Sequence, residues 1–142
     1  MAGSTRPWGY RRGRRMLVLR PVDASTAADI AVGDFVVEVT AGYCGSGASG
    51  GLPIGVACQA AATPTADGDV SILIDVSEDS IYEYPADTGT VTQGLCGRTI
   101  DIGGAQSLDI DASTDDIVRV HEINADRNSC FVSIIPTNAT LA

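Results

Sequence analysis

The 142-residue chain has no lysine, one histidine and one tryptophan, and aromatic residues make up only 5% of it. Without lysine there is no Walker-type phosphate loop. No apolar run approaches the ~20 residues of a membrane-spanning helix. The apolar residues 16–19 are cut off by Arg20 and Pro21, short of the ~7–15 residues of a secretory signal core. Neither a membrane partner nor a signal peptide is expected. The four cysteines, Cys44, Cys58, Cys96 and Cys130, form no C-x-x-C pair and fit no zinc spacing. They are expected to be free thiols that pack as small apolar residues. Any Ser-His-Asp or Cys-His site has to use His121, and no G-x-S-x-G turn accompanies it. The expectation is a protein that is not an enzyme and takes no cofactor.

What is present is an uneven distribution of charge. Arg6, Arg11, Arg12, Arg14, Arg15 and Arg20 all fall in the first twenty residues, which contain no acid. The other 122 residues carry three arginines, Arg98, Arg119 and Arg127, against eighteen acids, a formal charge of −15. Gly3, Pro7, Gly9 and Gly13 rule out a continuous helix at the N-terminus. Residues 1–20 are therefore expected to be an extended basic arm, and residues 21–142 an acidic body. Arginine without lysine favours forked, stacking contacts over point-charge attraction. Trp8 and Tyr10 add apolar area that seeks burial. Arg6, Trp8, Tyr10, Arg11, Arg12, Arg14, Arg15 and Arg20 are the candidate partner-binding residues.

The body reads as β-structure. In residues 35–40 Phe35, Val37 and Val39 share a face with Glu38 and Thr40 opposite, and residues 70–76 alternate Val70, Ile72, Ile74 and Val76 with Ser71, Leu73 and Asp75. Further strands are expected near 53–58, 80–84, 98–102, 106–110, 117–123 and 129–135, a loop over 41–51, and one short helical candidate at 23–30. Eight or nine short strands with Gly, Asp and Pro between them predict an all-β fold, a small antiparallel barrel or sandwich.

Two motifs have plainer explanations. Residues 45–50 match G-x-G-x-x-G, but Gly51-Leu52-Pro53 follows in place of a helix that would receive a pyrophosphate. Asp109, Asp111, Asp115 and Asp116 lack the glycine and closing glutamate of a calcium loop, so they read as strand-end and turn aspartates. No metal is expected.

The order Ala31-Val32-Gly33-Asp34-Phe35-Val36, then Ile54-Gly55-Val56-Ala57, residues 70–75 leading to Ile81-Tyr82-Glu83-Tyr84, Ile117-Val118-Arg119-Val120 and Phe131-Val132-Ser133-Ile134 resembles the small capsid cement, or head decoration, proteins of tailed phages. The resemblance spans roughly residues 30–135. It implies a β-rich virion subunit, often a homotrimer, on the outside of an icosahedral head, with the major capsid protein as partner. The family has no fixed binding motif to carry over, and the arm lies outside the resemblance. Its clamp role rests on its charge and aromatics. The competing reading is a β-barrel that binds nucleic acid through the arm. The acidic body argues against it, because Glu78, Asp79, Glu83 and Asp87 around Tyr82 and Tyr84 would repel phosphates.

Overall fold

A computed structural model describes residues 7–26, 28–40, 42–47, 51–112 and 116–135. Eleven strands are described: β1 (Gly9–Arg12), β2 (Leu17–Pro21), β3 (Phe35–Thr40), β4 (Tyr43–Ser46), β5 (Pro53–Ala57), β6 (Ser71–Asp75), β7 (Ile81–Pro85), β8 (Thr99–Gly104), β9 (Ser107–Asp109), β10 (Val118–Asn124) and β11 (Ser129–Ile134). A single 3-10 turn, Gln93–Leu95, separates β7 from β8. The strands form two open sheets, a six-stranded one in the order β1-β7-β11-β10-β8-β9 and a five-stranded one in the order β2-β6-β5-β3-β4. Every strand pair is antiparallel. The architecture is an all-β sandwich, and neither sheet closes into a barrel.

Period-two alternation decides which side of the five-stranded sheet faces which core. Phe35 and Val56 pair directly and join Tyr82, Tyr84, Ile102, Val120 and Val132 in the core between the sheets. Their neighbours Val36 and Ala57 face the other way. With Ile72, Ile74, Val22, Ile30 and Cys44 they form a second apolar cluster. The connection before β3 covers that side through bridges from Val22 to Cys44 and from Ile30 to Ala61. Tyr82 and Tyr84 both lie in the inter-sheet core with ring centres 6.2 Å apart, and Phe35 stands 4.4 Å from Tyr84. Neither tyrosine is exposed for base stacking. The Tyr84 hydroxyl donates to the Gly33 carbonyl at 2.5 Å in this buried setting. Tyr84→Phe strands that acceptor, and the expected loss is about 1–3 kcal/mol, measurable as a shift of the urea midpoint at constant slope.

Three expectations are corrected. The helical candidate at 23–30 is a turn: the Asp23 carboxylate accepts from the Ser25 amide at 2.6 Å and from the Thr40 hydroxyl, and this local hydrogen bonding outcompetes a helix. The loop expected over 41–51 contains β4, with Glu38 opposite Cys44. The extended arm is, over its described part, not an arm: β1 pairs with β7 through Gly9↔Glu83 and Tyr10↔Tyr82, and β2 pairs with β6 from Leu17↔Asp75 to Pro21↔Ser71. The segment is an edge strand of each sheet in turn and crosses between them beside the connection from β6 to β7. The crossing depends on Gly13, at φ +102°, where an added Cβ would lie 2.1 Å from the Asp79 carbonyl oxygen. Residues 1–6, with Arg6, lie outside the described residues.

Candidate functional site

Two carboxylates hold the N-terminal strands in place. Asp75 ends β6 and Glu83 sits in mid-β7, and both are fully buried. Each needs several donors to remain charged there. Glu83 accepts from Arg11 Nε at 3.0 Å, Arg127 Nη1 at 3.2 Å, Ser129 Oγ at 2.5 Å and Asn124 Nδ2 at 3.5 Å. Asp75 accepts from the amides of Met16 and Ser77, both at 3.0 Å, from Ser80 Oγ at 2.6 Å and from the Tyr82 hydroxyl. Arg15 Nε stands 3.5 Å from it. Burial pushes both carboxyl pKa values up, but the hydrogen bonds outweigh it and hold both below their ordinary values; for Glu83 the two guanidiniums add to this. The Tyr82 hydroxyl is raised by burial and by its bond to Asp75.

The candidate residues divide by where they point. Trp8 lies under the Arg127 guanidinium, 3.7 Å from its ring centre. Tyr10 stands edge-on to Tyr82 at 5.9 Å and beneath Arg15 at 4.3 Å. Both aromatics are half-buried against the inter-sheet core. Arg11 belongs to the Glu83 cluster, and Arg15 reaches Asp75 and Cys58 Sγ. Arg12 meets Glu122 at 2.6 Å with both partners more than half exposed, a pair of little energetic weight. Arg14, three residues before β2, and Arg20, within it and on the side of Val18, are exposed.

Between those two arginines lie residues that charge and motif reasoning did not single out. Met16, Leu17 and Leu19 are 61%, 46% and 61% exposed. Leu17 and Leu19 point away from Val18, which packs into the second cluster, and Leu19 stands opposite the half-buried Leu73. The signal was present in the sequence as apolar residues at i and i+2 beside arginines. A run too short for a signal peptide gave no reason to look for it.

His121 is exposed at a bulge in β10 and its Nε2 lies 2.8 Å from Ser133 Oγ. Cys44 and Cys130 are buried thiols, and Cys58 and Cys96 are half-buried. Burial, then the neighbouring Cys96, pushes Cys130 up to about 11. A cleft of about 510 Å³ lies beside Arg98, Thr99, Asp111, Asp116 and Arg119. Arg98 and Arg119 each donate to a backbone carbonyl there, and Thr99 donates to Asp116, so these side chains are engaged in structural bonds. Among the described residues no group of His, Cys, Asp or Glu gathers as a metal site; Asp115 lies outside them. No helix is long and apolar enough to cross a membrane among the described residues. Comparison with family models, curated proteins and solved structures finds no match.

Proposed function

We propose that the chain is a structural virion protein: a cement subunit, homotrimeric, that binds the outside of an icosahedral phage capsid and stabilises contacts between major capsid protein subunits. The observation that carries this reading is the exposed strip of Met16, Leu17 and Leu19 after Arg14, on a chain whose net charge is −9. Leu17 and Leu19 share one face of β2, with Met16 just before it, and apolar side chains exposed together mark an interaction surface. Arg14, exposed just before the strip, favours an acidic protein partner, and the acidic remainder keeps decorated particles apart. The resemblance in strand motifs supplies the phage head as the setting. In this reading the basic segment acts mainly through its β2 face, because Arg11 and Arg15 are engaged internally. That engagement also weakens the nucleic-acid reading, since fewer arginines remain to neutralise phosphates.

The test is to mix the purified protein with undecorated heads and measure occupancy and heat resistance. Burying one leucine is worth about 1.5–3 kcal/mol, so Leu19→Asp is expected to weaken binding roughly tenfold or more with an unchanged circular dichroism spectrum. Unchanged occupancy by Leu19→Asp rejects the strip as the docking face. Salt-sensitive binding to duplex DNA, with no binding to heads, would favour the nucleic-acid reading.

A further inference from the structure

Residues 7–21 run along one side of the sandwich from one sheet to the other, and they are attached in an unusual way. Of these residues only the small Gly9 is fully buried. None belongs to the buried apolar residues of either core. Trp8, Tyr10 and Val18 pack against the cores from outside as half-buried residues. The attachment is made instead by two β-ladders and by the Asp75 and Glu83 clusters.

Both clusters are bound twice over. Asp75 takes Met16 N and Arg15 from the N-terminal segment, and Ser77 N, Ser80 and Tyr82 from the body. Glu83 takes Arg11 from the segment, and Arg127, Ser129 and Asn124 from the body. Removing the segment therefore leaves each buried carboxylate with at least three donors, two of them on Glu83 being side-chain neighbours in the same sheet. The large penalty of an orphaned buried charge, which normally locks such a segment down, does not arise. The cores also remain complete. Elements held mainly by backbone ladders and by contacts their partners can do without, with little apolar burial, occupy the low end of the local-stability range.

We propose that residues 7–21 are a releasable strap that opens as one unit while the remaining nine-stranded sandwich stays folded. Opening uncovers the free edges of β6 and β7. It also converts the strap into the extended basic arm that the composition suggests, with Trp8, Tyr10, Arg11 and Arg15 freed from their own body to reach an acidic surface. The closed strap is thus a self-masking contact. This device does not depend on which partner the chain binds.

Native-state hydrogen exchange followed by mass spectrometry on the full chain tests it. Peptides covering 9–21 are expected to exchange at least tenfold faster than those covering β10 and β11. Arg11→Gln/Arg15→Gln removes only the strap's charged side chains from each cluster and leaves the Met16 amide on Asp75. It should raise the 9–21 rates about tenfold further and leave β10 and β11 unchanged. Gly13→Ala, which strains the crossing and touches neither carboxylate, should do the same. Exchange of 9–21 in step with β10 and β11, or loss of the whole fold in both variants, overturns the proposal.

Discussion

Glu83→Ala is expected to cost about 3–5 kcal/mol, the range for breaking a buried ion pair by removing one partner. For a domain of this size that is a fall in melting temperature of roughly 10–15 °C. The reason lies in what is left behind. Arg127 has a side chain only 6% exposed, and its guanidinium is stacked on Trp8, so it has little freedom to turn to water. Ser129 is fully buried and loses the acceptor it holds at 2.5 Å. Arg11 is less constrained, because it also donates to the carbonyls of Tyr10 and Pro7. The buried Ser129 hydroxyl left without its acceptor, and the buried Arg127 deprived of its carboxylate, therefore dominate the loss. A comparison separates these contributions: replacing the cluster together, as Arg11→Met/Glu83→Leu/Arg127→Met, is expected to lose much less than Glu83→Ala alone, since apolar groups leave no buried charge unpaired. Urea unfolding of the two variants reads the difference directly. A loss below about 1 kcal/mol for Glu83→Ala would mean that the cluster is solvated and not a structural centre.

The strands from Phe35 onward were legible because their information is local. Alternation in residues 70–76 and the stops near Pro85 and Pro136 need no knowledge of partners, and β3, β5, β6, β7, β8, β10 and β11 fall within a few residues of expectation. The choice between barrel and sandwich was not local, because closure depends on which strands pair at the edges. The strands at the N-terminus were hidden by composition. Four arginines in residues 11–15 read as an arm that reaches for a partner, and only the fold reveals that Arg11 and Arg15 have buried carboxylates of their own chain across from them. The matching half of the signal was visible but unassignable: Asp75 and Glu83 are acids inside otherwise apolar or aromatic strands, and nothing in the sequence says which cation each meets. β4 was hidden by its glycine. Gly45 reads as loop, yet an added Cβ there would come within 2.7 Å of Thr26 Oγ1 and Val39 Cγ2. Glycine is required by close packing of a strand, not by flexibility. The exposed strip escaped notice for a related reason: exposure of Leu17 and Leu19 is decided by what lies over that part of the sheet.

Acid is expected to unfold the protein well before the loss of its surface charge pattern would, because two buried carboxylates must be protonated. Asp75 faces Arg15, Tyr82 and Cys58, and Glu83 faces Arg11 and Arg127. Both titrate in the folded state below their ordinary values, which are about 3.9 for Asp and 4.3 for Glu in an unfolded chain. As pH falls through about 4, the unfolded chain takes up these protons and the folded chain does not, so protonation draws the equilibrium toward unfolding. The stabilisation from each group is thus fully present at neutral pH, declines below about pH 4, and is gone once pH passes the folded values. Thermal unfolding between pH 7 and pH 2.5 should show a melting temperature that is level down to about pH 4.5 and then falls steeply. In Asp75→Asn/Glu83→Gln, which cannot take up these protons, the acid limb should be shallower even though the protein is less stable at pH 7. Equal acid slopes in wild type and variant would assign the pH dependence to the other carboxylates and remove Asp75 and Glu83 from its cause. Because the strap side of each cluster is its more exposed side, Arg11 14% against 6% for Arg127 at Glu83 and Arg15 36% against buried Ser80 and Tyr82 at Asp75, hydrogen exchange in 9–21 should rise at a higher pH than the global transition, and the order of the two events ties acid sensitivity to the N-terminal strands.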